Sequence, residues 1–364
     1  MPKVQINHIE LFCMMVLFLF GTAILLDIGS GAKQDAWIVT ILSTIVGFLL
    51  YCMYFYMYKK YPDKPLTSYL PLIWGKYVGT LFSYFYILYF IYIASRVLRD
   101  FEELLIASPY YRTSMTTLGM CIIILLIYAV SLGIEVFSRV AIICFGFIVM
   151  SLLILNLLFV LGGLLHFENT FPILNDGWKP IFKELFPLNV TVPYGELIAF
   201  TMFFPYLNNQ KAGFKVGLLA ILFAGIYFTI SALQYVWILG PDVITRSSFP
   251  ALTAVAYINI GDFIQRFDTL VIVLMVILGF IKISIFFFCA VLGINQLFSF
   301  KPHPFINCFV GGMILLFSLI IAPSYQEHIK EGLNIVPYIL HLPFQIFIPI
   351  LLVATILVKE KLFK

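Results

Sequence analysis

The chain reads as a series of long apolar runs separated by short polar connections. A spanning helix needs roughly 20 mostly apolar residues at about 1.5 Å of rise each. By that ruler there are ten candidate spans, at residues 9–28, 37–58, 78–98, 115–134, 140–164, 188–207, 214–238, 268–298, 304–322 and 335–358. They take up most of the sequence, so residues 1–364 are expected to form a single transmembrane permease-like domain. The first run is read as an uncleaved span and not as a signal peptide, because only Lys3 precedes it and a second apolar run follows almost at once.

Composition excludes a soluble fold. Hydrophobic residues make up 62% of the chain and charged ones 11%, with a mean hydropathy of +1.04. Soluble domains run near 45–50% and about 25%. This chain has too little charge to cover its surface, and membrane lipid is the partner for the excess apolar area. The net charge of +4 is scattered, which argues against nucleic acid. The basic residues instead sort topology. With ten spans and the N-terminus inside, the inner segments hold twelve: Lys3, Lys59, Lys60, Lys64, Lys76, Arg139, Lys211, Lys215, Lys301, Lys359, Lys361 and Lys364. The outer segments hold nine, and both termini are expected in the cytoplasm.

Three outer segments are long: 99–114, 165–187 and 241–267, the last with an amphipathic stretch from Ala251 to Phe267 expected to form a short surface helix. Tyr51, Tyr54, Phe55, Tyr56 and Tyr58 crowd the inner end of span two and are expected to form an interfacial aromatic belt. Cys13, Cys52, Cys121, Cys144, Cys289 and Cys308 all fall in apolar runs and read as buried thiols. No Cys/His spacing suggests a metal site, no cofactor is implied, and no nucleotide-binding or hydrolase motif argues for an enzyme.

The candidate chemistry lies in spans one, three, six and eight. Span one carries Gly21-Thr22-Ala23 in a bulky run. Small residues at that depth either let helices pack closely or let the helix unwind and offer backbone to a ligand. Span six is punctuated by Pro187, Pro193 and Pro205 and holds Glu196 near its middle, with Ala199 and Phe200 just beyond. An intramembrane carboxylate faces a partner or a polar cavity. A broken helix also presents a half-helix N-terminus that favours an anionic group. Span eight places Lys282 fourteen residues past Asp268, roughly 21 Å along a helix. That is too deep to snorkel, so Glu196 is a candidate partner. Ser284 follows it. Tyr84, Tyr86, Tyr89 and Tyr92 enrich span three, either to orient a polar ligand or to pack. Arg96/Asp100, Arg99/Glu103 and Glu135/Arg139 have i,i+4 spacing and read as solvated ion pairs. His341 is the one histidine inside a span.

These residues carry a resemblance. Phe20-Gly21-Thr22-Ala23-Ile24, Pro193-Tyr194-Gly195-Glu196 through Phe204-Pro205-Tyr206, Arg266-Phe267-Asp268 and Gly279-Phe280-Ile281-Lys282-Ile283-Ser284 resemble the B subunits of spore germinant receptors. These form the spore germination permease family, within the amino acid–polyamine–organocation superfamily. The resemblance runs from about Ile6 to the C-terminal lysines. It implies an all-α polytopic fold of the LeuT-like kind, a five-plus-five inverted repeat with helices 1 and 6 broken. It also implies residence in the inner membrane of the endospore, beside a membrane-bound A subunit and a lipoprotein C subunit. A small germinant, an amino acid, is expected where a transporter holds substrate: at Gly21, Thr22, Ala23, Tyr89, Glu196, Ala199 and Phe200. The amides of span one would hold its carboxylate. Permeases often carry Gly-x-Gly in span one, and Ala23 at the second position narrows access to that backbone. Some relatives set a lysine ammonium where others bind sodium, a part expected for Lys282. Glu196, Lys282 and Ser284 are thus candidates for intramembrane coupling. The same residues also fit a proton-coupled amino acid transporter, or a scaffold in which Gly21–Ala23 only pack.

Overall fold

The computed structural model of the chain describes residues 5–26, 29–107, 110–247, 249–261, 264–265 and 267–362, with the backbone alone for 22, 25, 26, 264 and 265. Arg266 and the terminal Lys3 and Lys364 lie outside the described residues. The protein is an all-α polytopic membrane protein. Among the described residues fourteen α-helices follow in order: α1 (His8–Leu26), α2 (Ala36–Lys60), α3 (Leu66–Trp74), α4 (Lys76–Ala107), α5 (Met115–Ser131), α6 (Ile134–Leu161), α7 (Trp178–Glu184), α8 (Ala212–Leu239), α9 (Pro241–Ile244), α10 (Pro250–Ala256), α11 (Asp268–Leu297), α12 (Pro304–Ile320), α13 (Tyr325–Asn334) and α14 (Ile348–Leu362).

Among the described residues all ten predicted spans fall on helical turns, but only six stretches, or seven if the bent pair of α12 and α13 counts as one, are long and apolar enough to cross a membrane. The six are Ser30–Lys60, Lys76–Ala107, Ile134–Leu161, Ala212–Leu239, Asp268–Leu297 and Pro337–Leu362. The other four fall short for identifiable reasons. α1 leaves helical geometry at Gly21 (φ 0°, ψ −113°). α5 and α12 have 17 residues each, about 25 Å against a hydrocarbon core near 30 Å. After α12 the chain bends by 105° into α13. Residues 188–207 form no regular α-helix: a wide turn at Leu185–Asn189 is followed by tight 3₁₀ turns at Gly195–Met202 and Phe204–Tyr206. Pro187, Pro193 and Pro205 lack the amide hydrogens that an α-helix there would need. Pro337 and Pro343 likewise accompany a widened stretch, Pro337–Phe347, which leads into α14.

Three expectations are corrected here. The third span runs on to Ala107, so the segment 99–114 is helix for half its length. The amphipathic stretch after Ala251 is helical only to Ala256 and then turns into a hairpin pairing Asn259–Ile260 with Ile264–Gln265. Cys13 and Cys289 are buried, but Cys52, Cys121 and Cys308 are exposed and Cys144 is half-buried. In a membrane chain an apolar run has a lipid face as well as a core face, so a thiol in such a run is not thereby buried.

α1 and α11 form the centre. Leu11 and Met14 through Phe20 of α1 are buried, as is every residue from Ile281 to Val291 of α11. A helix apolar on all sides is one enclosed by others. Around this centre α4 lies along α11, α2 along α8, and α5 along α12. The start of α1 is fixed by a capping box: Asn7 Oδ1 accepts from the amides of Ile9 and Glu10, and Glu10 Oε2 accepts from the Asn7 amide. Ile6 bridges to the end of the sixth segment, donating to the Tyr206 carbonyl at 2.8 Å and accepting from the Asn208 amide at 3.0 Å. The two broken segments are therefore tied together at one end.

Surface charge contributes little to holding this arrangement. Lys33 and Asp176 pair at 3.1 Å with both side chains more than two-fifths exposed. Lys33→Ala is expected to change unfolding free energy by less than about 1 kcal/mol. Thermal unfolding in lipid nanodiscs measures it, and a larger loss would mean that the loop is structural.

Candidate functional site

The breaks in the first and sixth segments meet on one lysine. A Cβ at Gly21 would stand 2.5 Å from Cδ of Lys282 and 3.2–3.3 Å from its Cβ and Cγ. The lysine stem therefore occupies the space that the missing side chain leaves. Its ammonium donates to Glu196 Oε2 at 2.5 Å and sits 5.4 Å from the centroid of the Phe18 ring. Lys282 is 0% exposed and Glu196 2%. Neither charge could be held alone at this depth, since an unpaired intramembrane ion costs several kcal/mol. Together they make a neutral unit whose positive end is also covered by an aromatic face.

The other predicted residues stand at graded distances from this pair. Tyr89 lies beside it through span ten: Gln345 Nε2 donates to the Tyr89 hydroxyl at 2.7 Å, and that hydroxyl is 2.9 Å from His341 Nδ1. The Tyr89 ring stacks on Phe344 at 4.8 Å. Gln345 abuts Gly195, where a Cβ would collide with its Oε1. Ala199 and Phe200 lie beyond Glu196, turned toward α1 and α11. Cys289 donates to the Ala199 carbonyl at 3.4 Å, and Phe200 meets Phe18 edge-on at 5.3 Å. Ala23 lines a small hollow with Thr40, Tyr227 and Ser231 on the α2/α8 side. The side chain of Thr22 lies outside the described parts of the structure. Ser284 is buried, and its hydroxyl finds no hydrogen-bond partner among the described residues.

Two clusters that sequence reasoning assigned to the surface belong to this region. Tyr51, Tyr54 and Tyr58 are not an interfacial belt: each is at most 1% exposed. Tyr54 and Tyr58 donate to carbonyls of irregular segments, and Tyr51 to one at the start of α8. Tyr51 donates to the Gly213 carbonyl at 2.7 Å and Tyr58 to the Phe204 carbonyl at 3.0 Å. Tyr54 reaches the carbonyls of Gly195 at 3.0 Å and Gln345 at 2.8 Å. The reason is that a helix irregular in the membrane must have its freed carbonyls satisfied by protein.

The arginine cluster of α4 is likewise buried and not solvated. Arg96, Arg99 and Asp100 are each 6–7% exposed. Arg99 keeps its i,i+4 partner Glu103 at 2.8 Å, but Arg96 does not pair with Asp100. Arg96 donates to the His328 carbonyl on α13 at 2.5 Å and lies 3.9 Å from Glu331. Asp100 instead meets His328 Nε2 at 2.8 Å. The cover is α13, more than 220 residues downstream, as those bonds record. Glu135, also read as an ion-pair partner, accepts from the Gln5 amide at 2.8 Å.

Beneath α13 lies a cavity of about 60 Å³ walled by Arg96, Asp100, Glu196, Gly332, Leu333 and His341. Glu196 is the predicted ligand residue that reaches it. The region thus combines a paired intramembrane charge, irregular backbone and a small, mostly apolar cavity with Arg96, Asp100, Glu196 and His341 in its wall, an arrangement that can bind a small molecule through a few polar contacts and report it through helix movement.

Comparison with known proteins bears on what that molecule is for. Residues 5–326 match the family described as "Spore germination protein". The chain is 35% identical to Spore germination protein KB of Bacillus subtilis (strain 168) over 361 residues, 99% of this chain and 97% of that one. It is 23% identical to Spore germination protein A2 of the same organism over 319 residues, covering 84% and 85% of the two chains. To Spore germination protein YndE, also from that organism, it is 22% identical over 303 residues, covering 82% and 80%.

Proposed function

The chain belongs to the spore germination protein family, and from that premise we propose that it is the B subunit of a nutrient germinant receptor. It binds a small germinant, an amino acid, in a transporter-like pocket and passes the event to an A subunit and a lipoprotein C subunit in the inner membrane of the endospore. Both termini face the cytoplasm.

The observation that carries this reading is the buried pair of Glu196 and Lys282, seated where the broken first segment meets the broken sixth. Soluble-protein packing has no need of it. A transporter-like binding site does, because ligand and helix movement can then exchange partners with a charge that is already neutralised. Gly21 and Glu196 touch or pair with this lysine, while Ala23, Tyr89, Ala199 and Phe200 frame the surrounding turns. The helix pairing supports a five-plus-five repeat. The second segment lies on the seventh, the third on the eighth, and the fourth on the ninth. Exchanging the two halves also maps the contact of α1 with α8 onto that of α2 with the sixth segment. A ligand moves such a structure only by its differential affinity for two states.

Gly21→Leu tests this reading. The added side chain would displace the Lys282 stem and pull the ammonium from Glu196. Spores carrying the variant at normal abundance by immunoblot are expected to lose nutrient response or to need more nutrient. An unchanged response at normal abundance would remove the site. Energy-dependent uptake of labelled amino acid by the wild-type chain would instead favour the proton-coupled transporter.

A further inference from the structure

The cavity under α13 has a size and a charge pattern of its own. At the liquid share of roughly 30 Å³ per water, its 60 Å³ holds about two waters, so as it stands it has room for no more than the smallest amino acid, and a larger one enters only as α13 lifts. Its walls carry both signs of charge. Arg96 and Asp100 on α4 are each 7% exposed and Glu196 is 2% exposed. A zwitterion leaving water must replace the hydration of both its ends, so it needs a buried cation and a buried anion within one small space. The guanidinium fork is the side chain that best matches a carboxylate.

What holds Arg96 in this structure is the cover itself. Nη2 donates to the His328 carbonyl at 2.5 Å and Nη1 lies 3.4 Å from the Tyr92 hydroxyl. Glu331 Oε2 stands 3.9 Å away. A Cβ at Gly332 would come 2.5 Å from Nη2, so α13 lies directly on the guanidinium and a side chain there would push the tip of Arg96 aside. α13 therefore gives Arg96 a carbonyl and a distant carboxylate, the two kinds of oxygen that an amino acid's own carboxylate would replace.

We propose that this cavity binds a small zwitterionic amino acid, with Arg96 holding the carboxylate, Asp100 and Glu196 facing the ammonium, and α13 acting as the cover that the ligand displaces from Arg96. This rests on the nutrient-binding reading above. It moves the carboxylate from the amides of span one, where the Lys282 stem fills the space, to the wall of α4.

The test is equilibrium binding to the purified full chain in lipid nanodiscs, with glycine, L-alanine, L-alanine methyl ester and L-tryptophan as probes. Glycine and L-alanine should bind saturably, L-tryptophan should not, and the methyl ester should bind at least about tenfold more weakly than L-alanine. Arg96→Gln should abolish that preference and leave acid and ester alike, a result that a merely structural arginine would not give. Glu331→Gln, at a half-exposed position, should tighten L-alanine binding by removing a competitor for Arg96. An acid/ester ratio near one in the wild type, a ratio kept in Arg96→Gln, or unchanged or weaker binding in Glu331→Gln overturns the proposal. Germination that depends on the chain while none of these probes binds overturns it too, yet leaves nutrient sensing standing. Tight L-alanine binding by a chain whose deletion leaves germination intact does the reverse.

Discussion

Lys282→Met is expected to lower the stability of the folded chain by about 3–5 kcal/mol, because it strips the counter-charge from a carboxylate that cannot reach water. Glu196 is 2% exposed and its Oε2 accepts from Lys282 at 2.5 Å. The methionine is close in length and fills the lysine's channel past Gly21, so lost packing accounts for little of the effect. The informative comparison is the double variant Lys282→Met/Glu196→Gln, which removes both members of the pair. It should recover most of the loss, since replacing both members of a buried pair is far cheaper than breaking one. Thermal unfolding of the purified single and double variants in nanodiscs gives the coupling directly. A double variant as unstable as Lys282→Met would show that Glu196 does not depend on this ammonium. Nutrient response should be lost in both, because the double variant restores folding without restoring a charge for helix movement to work against.

The parts of this site that could be read from sequence were those set by depth along one helix. Lys282 lies too far from either end of its span to snorkel, and Glu196 sits in the middle of another, so each demanded a partner before any contact was known. The ten helical segments were legible for the same reason, as were the breaks at Gly21 and around Pro187, Pro193 and Pro205. What was not legible depended on residues distant in sequence. Tyr54 at the end of a span looks like a residue of the interface, and its distinguishing feature is a pair of carbonyls at Gly195 and Gln345. The spacing of Arg96 and Asp100 matches a surface ion pair, and only the arrival of α13 above them turns both toward His328. The lengths of α5 and α12 show the same limit, because hydropathy reports which residues tolerate lipid and not where a helix stops. A polar side chain next to a broken span is the signal that could have been used. Irregular backbone in a membrane needs donors, and two buried tyrosines facing one such segment, Tyr54 and Tyr58, are where they come from.

Tyr54→Phe puts that last point at risk. The phenol is fully buried and stands between two carbonyls, Gly195 at 3.0 Å and Gln345 at 2.8 Å, one on each of the irregular segments that flank the cavity. Phenylalanine keeps the ring and its packing but removes the hydrogen. The expected cost is about 1–3 kcal/mol, the penalty for leaving a buried acceptor unmet. Tyr51→Phe and Tyr58→Phe, each serving one carbonyl, should cost less, about 1 kcal/mol each. The functional consequence follows from position. Gly195 precedes Glu196, and Gln345 donates to Tyr89, so releasing Tyr54 loosens the carboxylate and the tyrosine together. Spores with Tyr54→Phe should respond only at higher nutrient concentration, whereas Tyr58→Phe, held to Phe204 at the far end of the segment, should respond as wild type once protein level is matched. Equal shifts in the two variants would mean that the tyrosines only hold the bundle together, and that the carbonyl of Gly195 has no special part in setting Glu196.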